Sequence, residues 1–191
     1  HCEATLFGSS QASTRFSNNA ITQNIAKADN ALTVLAAYGQ KKGKASTNDL
    51  SQSSIASCVR RAEEIARESE PDTEYLPPID PTPYHQVPAY FAATKAFGPE
   101  DRARSIRQAC GICEQNGLKL AGSFATEGWF IAVGNSKKHR AYHRGTEAKY
   151  LSTVLTPDSS GWAEAISENV SRVDTLAATE IAKQKAEAAK N

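Results

Sequence analysis

The sequence of 191 residues contains no methionine and begins His1-Cys2-Glu3, so it does not include a translational start. Residues 3–7 already alternate between polar and apolar side chains like a strand, and no leader-like pattern precedes them. We therefore expect a fragment of a longer protein rather than a chain from which a leader has been removed.

Three other shortages exclude broad classes of protein. The four cysteines are too few and too scattered for a disulfide framework, which predicts a reducing, cytoplasmic setting. No run of about 18 apolar residues occurs, so no membrane-spanning helix is predicted. The formal net charge is only +1, which argues against a dedicated nucleic-acid-binding protein. A hydrophobic content of 40% remains typical of a globular domain.

The sequence also lacks the short motifs of common enzyme classes. It has no Gly-rich phosphate loop, no GxSxG elbow and no HExxH segment, and no spacing of Asp, His and Ser singles out a triad. Residue chemistry alone therefore assigns no catalytic, cofactor-binding or metal-binding residue.

The residue patterns that are present predict an α+β fold, with antiparallel strands and about three helices in two layers. The first fifty residues predict a β-meander of four short segments (3–9, 13–19, 20–27 and 31–39), separated by Gly, Asn and Ser clusters. The segment GQKKG at 39–43 predicts a hairpin turn, with a positive φ at both glycines.

Three segments carry helical signals. Ser51 is a credible N-cap for a helix with an apolar stripe of Ile55, Val59, Ala62 and Ala66, which should end near Glu70. A second helix is predicted from Pro99 to the Asn116-Gly117 stop, with Ile106, Ala109, Cys110 and Cys113 buried. The Ala-rich tail predicts a last helix capped by Asp174.

Residues 71–88 hold six of the eight prolines, so they predict an extended connector that wraps the domain, with Tyr75 and Tyr84 as anchors. Strands are predicted again over 118–127, 129–136 and 139–156, with turns at Glu127-Gly128 and at 157–161. The segment 162–173 fits a strand or a helix equally well.

The stretch GNSKKHRAYHRGTEA at 134–148 places His139, His143 and Glu147 at four-residue intervals. In a helix the two imidazoles would lie about 6 Å apart and could share a metal ion. Turn residues before the stretch, Gly145 within it and β-rich flanks favour a strand, where the two residues stand roughly 13 Å apart. That separation is too wide for one ion, so the prediction is an extended backbone without a metal site.

The same stretch would align Lys138, Arg140, Tyr142 and Arg144 on one face of the strand. Such a row could meet phosphates, but it is more often the solvated face of an antiparallel sheet. Cys110 and Cys113 form a CxxC near the C-terminal end of their helix, where the dipole disfavours a reactive thiolate. These cysteines are predicted to serve packing.

The order of several motifs resembles the TldD/PmbA family over essentially the whole chain. TRFSNNAITQN (14–24) is followed by a basic hairpin, by KASTNDLS (44–51), by a helix and by the Pro-rich segment. VGNSKKHRAYHRGTEA (133–148) and TPDSSGWAEAISENVSRVD (156–174) then resemble the family's second characteristic block.

The resemblance implies that residues 1–191 are the N-terminal domain of a two-part protein, historically called a modulator of DNA gyrase and understood as a metallopeptidase acting on peptides or unfolded segments. In active members a His-Glu-x-x-x-His helix supplies the ligands for zinc or a similar divalent metal, together with the catalytic Glu. No stretch here matches that segment, so the metal centre is expected in a C-terminal domain that this sequence lacks.

On this interpretation the fragment is inactive and forms a scaffold around the peptide-binding cavity, in a homodimer or in a heterodimer with a related subunit. The full-length parent is either the active subunit or a metal-free partner. The alternative interpretation, from another class, is a non-catalytic binding module with a basic anion-binding or nucleic-acid-binding strand at 137–144.

Overall fold

The computed structural model describes residues 1–189. The strands are β1 (Cys2–Ser17), β2 (Ala20–Tyr38), β3 (Lys41–Thr47), β4 (Lys119–Asn135), β5 (Arg140–Leu155) and β6 (Ser160–Ser167). The helices are α1 (Gln52–Glu68), α2 (Ala92–Ala96), α3 (Pro99–Gln115) and α4 (Thr175–Ala188), with a short 3-10 helix at Val170–Arg172.

The strands form one six-stranded antiparallel sheet in the order β3-β2-β1-β4-β5-β6. The predicted α+β class is confirmed, as are the three long helices α1, α3 and α4. The five-residue helix α2 was not predicted, because it is too short to show a helical period. No helix among residues 1–189 is long and apolar enough to cross a membrane.

The chain divides into two compact units. The first comprises His1–Ser9, Ala28–Pro88 and Trp129–Arg144, and the second comprises Ser10–Lys27, Ala89–Gly128 and Gly145–Asn191. In the first, α1 packs on β3; in the second, α4 packs on β6 and on α3. Each unit thus places helices against strands, as the two-layer prediction requires.

β1 and β2 are two long strands and not the four short segments that the sequence predicts. The real reversal is Asn18-Asn19, where both residues have positive φ angles of 49° and 61°. Two positive φ angles define the hairpin turn that matches strand twist, and Asn tolerates them well. Gly8 does not end a strand; a Cβ there would lie 2.3 Å from the Phe130 ring, so Gly8 permits close packing.

The hairpin between β2 and β3 is confirmed, with Tyr38 paired to Lys41 across Gly39-Gln40. Gly39 has the expected positive φ of 61°, whereas Gly43 lies inside β3 without one. A Cβ at Gly43 would lie 2.2 Å from the carbonyl oxygen of Ala62. Gly43 therefore allows α1 to approach the strand closely.

The core of the first unit forms between this hairpin and α1. Ser51 caps α1 as predicted, since its hydroxyl accepts a hydrogen bond from the Ser54 amide at 3.3 Å. The buried residues are Val34, Ala36, Ala45, Cys58, Ala62 and Ala66. The predicted stripe is correct for the two alanines, while Ile55 and Val59 are only half-buried.

The core of the second unit is larger and combines α3, α4 and four strands. Its aromatic centre stacks Phe16 on Tyr150 at 5.9 Å and sets Phe124 edge-on to Tyr150 at 5.7 Å. The predicted buried stripe of α3 is confirmed in full, and the Gly117 stop has a φ of 66°. Asp174 caps α4 by accepting from the Ala177 amide at 2.9 Å.

The turn predicted at 127–128 is wrong, and the turn predicted at 157–161 is present with different bounds. β4 continues through Glu127-Gly128, where a Cβ on the glycine would lie 3.0 Å from the Lys95 side chain. β6 begins at Ser160 and pairs directly with Leu155, so the turn covers residues 156–159 and the ambiguous segment begins as a strand. In both cases a glycine marks a close approach and not a reversal.

The Pro-rich connector at 71–88 contains no helix or strand, as predicted. The Tyr84 hydroxyl accepts from the Tyr142 amide at 3.0 Å and lies 3.3 Å from the Tyr142 carbonyl oxygen. Asn135 donates from its side chain to the Ile79 carbonyl at 2.9 Å. These bonds attach the connector to β5 and to the end of β4, so the anchor predicted at Tyr84 is confirmed.

Substitution of two glycines in the second unit should distinguish a glycine that allows two elements to approach closely from one that only adds backbone freedom. In Gly161→Ala the new Cβ would lie 2.0 Å from the Ala182 carbonyl oxygen, and we expect a loss of about 1–3 kcal/mol in the free energy of unfolding. In Gly111→Ala, inside α3, nothing lies within 4 Å, and we expect a gain of about 0.5–1 kcal/mol. Urea unfolding of both variants measures this; equal effects would contradict the close packing of α4 on β6.

Candidate functional site

The backbone of the stretch 134–148 is extended, as predicted. β4 ends at Asn135, a turn follows in which Lys138 has a φ of +70°, and β5 begins at Arg140. His143 and Glu147 therefore lie on a strand, and His139 immediately precedes it. Among residues 1–189 no group of three or more His, Cys, Asp or Glu side chains is placed to hold a metal ion.

His139 is a buried residue that holds the connector. Its Nδ1 accepts a hydrogen bond from the Thr82 amide at 3.3 Å, so this nitrogen is already occupied. The Asn135 side chain accepts from the Lys137 and His139 amides at 3.0 and 3.1 Å, and this closes the turn. The predicted backbone shape is confirmed, and the histidine contributes to the turn and the connector.

His143 and Glu147 have separate surroundings. The His143 ring meets Trp129 edge-on, with centroids 5.4 Å apart. Glu147 is exposed and belongs to the second unit. The structure thus gives each of the two residues an ordinary strand environment.

The predicted basic row on one face of β5 is broken at its first member. Lys138 belongs to the preceding turn, because its positive φ does not fit a strand. Lys137 pairs with Asp80 at 3.1 Å, which neutralises part of the basic run. Arg140, Tyr142 and Arg144 remain exposed on β5, so the alternation predicted for these three is confirmed.

The two cysteines of the CxxC lie in the core, as predicted. Cys110 and Cys113 are buried on α3 and unbridged. Burial raises the pKa of the Cys110 thiol and raises that of Cys113 to about 11. Since the thiolate is the reactive form, neither residue is suited to redox chemistry.

The second unit contains a surface cavity of about 380 Å³ that sequence analysis did not predict. Its walls come from β1, β2, β4, α2, the start of α3 and the segment that joins these two helices. The lining residues are Ser10, Ala12, Asn24, Ile25, Ala26, Thr94, Lys95, Ala96, Phe97, Gly98, Pro99, Arg102, Thr126, Glu127 and Gly128. Exposed residues form the rim and buried ones the floor, and the volume is within the range of small-ligand sites.

The floor of this cavity holds Arg102, which is only 3% exposed. Its Nε donates to the Thr14 hydroxyl at 3.0 Å, and its Nη1 donates to the Phe97 carbonyl at 3.0 Å and to the Thr126 hydroxyl at 3.2 Å. Thr14 in turn donates to the Asn24 side-chain oxygen at 2.6 Å. One guanidinium thus ties α3 to β1, to β4 and to the segment that joins α2 to α3.

Helix α2 completes the wall because Thr94 fixes it in place. The Thr94 hydroxyl donates to the Glu168 carbonyl at 2.8 Å and accepts from the Val170 amide at 2.8 Å. A signal for Arg102 did exist in the sequence. It stands four residues before Ile106 and so begins the buried stripe of α3, where a charged residue is unusual.

The raised pKa of Cys113 predicts how the stability of the chain depends on pH in alkaline solution. The folded chain holds this thiol proton up to about pH 11, against 9.0 for an ordinary cysteine, so the unfolded chain binds fewer protons between these values. Stability should therefore fall as pH rises through this window. We expect a shallower fall for Cys113→Ala than for the parent chain in urea unfolding between pH 8 and pH 11. An unchanged slope would show that Cys113 does not contribute.

The chain resembles known proteins in part of its sequence and in its fold. Residues 2–66 match the family model described as PmbA/TldA metallopeptidase domain 1. A comparison with curated proteins gave no match. Three solved structures have the same fold, and the chain spans less than half the length of each.

The crystal structure of TldE from Thermococcus kodakarensis matches 100% of this chain and 45% of its own, with a TM-score of 0.91 at 14% identity. A putative modulator of a DNA gyrase from Thermotoga maritima matches 97% of this chain and 44% of its own, at 0.79 and 11% identity. A putative modulator of DNA gyrase from Bacteroides thetaiotaomicron matches 97% and 45%, at 0.80 and 13% identity. The family-model match confirms the predicted resemblance to the TldD/PmbA family over residues 2–66, and the solved structures show that the whole chain shares their fold.

Proposed function

We propose that residues 1–191 are the N-terminal scaffold domain of a TldD/PmbA-like metallopeptidase and help to enclose a cavity for peptides or unfolded segments. The match of residues 2–66 to a first metallopeptidase domain supports this role. The solved structures of the same fold are more than twice as long, which leaves room for a catalytic part elsewhere.

The observation that carries the proposal is an open strand edge in the second unit. β3 pairs with β2 only over residues 32–38, so residues 20–27 of β2 have no strand on that side among the described residues. Seven of these eight residues are exposed and only one, Lys27, is charged. Natural proteins usually protect such an edge with charges, proline or a bulge.

An unprotected edge of this length suits an extended peptide. A peptide that adds as a further strand gains main-chain hydrogen bonds irrespective of its sequence, and side-chain pockets then supply selectivity. An enzyme that cleaves unfolded segments must bind substrates of many different sequences. A scaffold that presents a strand edge can therefore hold a substrate without contributing to the chemistry.

We assign the metal, zinc or a similar divalent ion, to a part of the parent beyond residues 1–191. The potential ligands of this chain are dispersed: His139 is bonded to the connector, His143 packs on Trp129, and Cys110 and Cys113 are buried in the core. The parent then acts as a homodimer or as a heterodimer with a related subunit.

Purification of the complete parent tests the enzymatic role. We expect stoichiometric zinc or a similar metal by elemental analysis, cleavage of an unfolded polypeptide, and loss of both after chelation. Residues 1–191 alone should show neither. A parent without metal and without cleavage would leave only the role of a metal-free partner subunit, whereas metal retained by residues 1–191 would contradict the assignment.

Hydrogen exchange tests the open edge without requiring any activity. In residues 1–191, about half of the amides at 20–27 should exchange rapidly, because alternate amides of an edge strand point away from the sheet. The amides of 32–38, where β2 also pairs with β3, provide the internal control. Protection should appear at 20–27 when an extended peptide is added; uniform protection beforehand would show that another chain covers the edge.

A further inference from the structure

We propose that the Arg102 cavity of the second unit binds a carboxylate group of a peptide. The cavity is the set of lining residues defined above, with Arg102 on its floor and Asn24, Ile25 and Ala26 of β2 on its rim. The inference depends on the proposed function for the peptide nature of the ligand, and on the cavity alone for the carboxylate.

The first step is the charge of Arg102. No carboxylate among residues 1–189 lies within ion-pair distance of its guanidinium, although Asp101 precedes it. The Asp101 carboxylate is engaged by the Gly98 amide at 3.1 Å and by Arg104 at 3.1 Å. Burial lowers the pKa of Arg102, with Asp101 opposing. A buried charge without a counter-ion is costly, so a site that retains one is suited to an anionic ligand.

The second step is the count of donors. A guanidinium has five N–H groups, and three of those in Arg102 are used by Thr14, Phe97 and Thr126. Nη2 makes no hydrogen bond within the described chain, and it is not among the buried atoms that lack a partner. Nη2 is therefore not completely buried, and its two N–H groups, on a residue that lines the cavity, have no protein partner among residues 1–189.

The third step is the rigidity of the arrangement. The three bonds to Arg102 and the bond from Thr14 to Asn24 hold the guanidinium before any ligand arrives. A recognition group fixed by its neighbours loses little entropy when it binds. Thr126 accepts from Arg102, so its own hydroxyl proton can be directed to a ligand oxygen.

The fourth step is the balance of charge, which favours a carboxylate over a phosphate. The cavity carries two positive side chains, Lys95 and Arg102, and one negative side chain, Glu127. The resulting single positive charge matches a monoanion. A phosphate dianion would be left partly unneutralised in a largely apolar lining.

A purely structural role for Arg102 explains only part of these observations. Tying α3 to its neighbours uses Nε and Nη1, and neutral donors could make the same bonds at lower desolvation cost. The free Nη2 and the unpaired charge have no use in that role. Both are accounted for when a carboxylate enters the cavity.

The test uses residues 1–191 and blocked tripeptides, followed by NMR titration. Acetyl-Ala-Ala-Ala with a free carboxylate is compared with its amide, and acetyl-Ala-Glu-Ala-amide is compared with its Gln counterpart. We expect at least one acid to bind about tenfold more tightly than its neutral partner, since a charged hydrogen bond is lost in the amide. The first pair reports a terminal carboxylate and the second a side-chain carboxylate; inorganic phosphate is the third probe.

Two variants of the rim leave the Arg102 network intact. Ala26 is exposed on the open edge of β2. We expect Ala26→Glu to weaken binding of the acid several-fold by repulsion at the mouth, and the neutral variant Ala26→Gln of similar size to retain it. Arg102→Lys keeps the charge but loses the fork of N–H donors, so it should reduce the preference for the acid, while Arg107→Lys on the exposed side of α3 should not.

The outcomes separate clearly. If Arg102→Lys does not fold, the guanidinium resonances of the unmodified chain replace it: Nη2 of Arg102 should shift with the acid and not with the amide. Equal binding of acids and amides, binding of phosphate alone, or no shift at Arg102 would overturn the proposal. Because none of these measurements requires metal or cleavage, failure here is distinguishable from failure of the proposed enzymatic role.

Discussion

The turn at Asn18-Asn19 is the constraint on which the second unit depends. Two successive residues with positive φ reverse the chain tightly, so β1 and β2 leave the turn already paired. The Asn19 side chain then donates to the Leu118 carbonyl at 3.0 Å and accepts from the Leu120 amide at 2.6 Å, which attaches the turn to the start of β4. The three strands that wall the Arg102 cavity are thereby aligned, and β2 is long enough to extend past β3 and leave an open edge.

Arg102 connects this architecture with recognition. Its guanidinium bonds to β1 through Thr14 and to β4 through Thr126, so these bonds require the two strands to be aligned. The same bonds leave the two N–H groups of Nη2 without a protein partner in the described part of the chain. Folding and ligand recognition therefore share one side chain, which explains why a cation is retained where an apolar residue would pack at lower cost. The open edge and the cavity meet at residues 24–26 of β2, so one peptide could engage both main-chain and carboxylate contacts.

The sequence predicts helices well here and strand ends poorly, for a physical reason. Caps such as Ser51 and Asp174 and the Gly117 stop act within a few residues of the backbone that they control. Gly8, Gly43 and Gly128 instead pack against residues far away in the chain, with which a Cβ would collide. A local reading cannot distinguish a glycine that permits a turn from one that permits contact. Arg102 was missed for a related reason, because its place on the apolar stripe indicates burial, whereas its partners Thr14 and Thr126 lie on strands distant in the sequence.

The distribution of reactive groups separates recognition from catalysis in this chain. Cys110 and Cys113 are buried with raised pKa values, His139 uses Nδ1 for the connector, and His143 packs against Trp129. None of these groups lines the Arg102 cavity, whose polar side chains are two cations, one amide, three hydroxyls and one carboxylate. Such a site can orient an anion but offers no thiolate or imidazole to attack a carbonyl. The chemistry of this cavity is therefore suited to holding an anionic group.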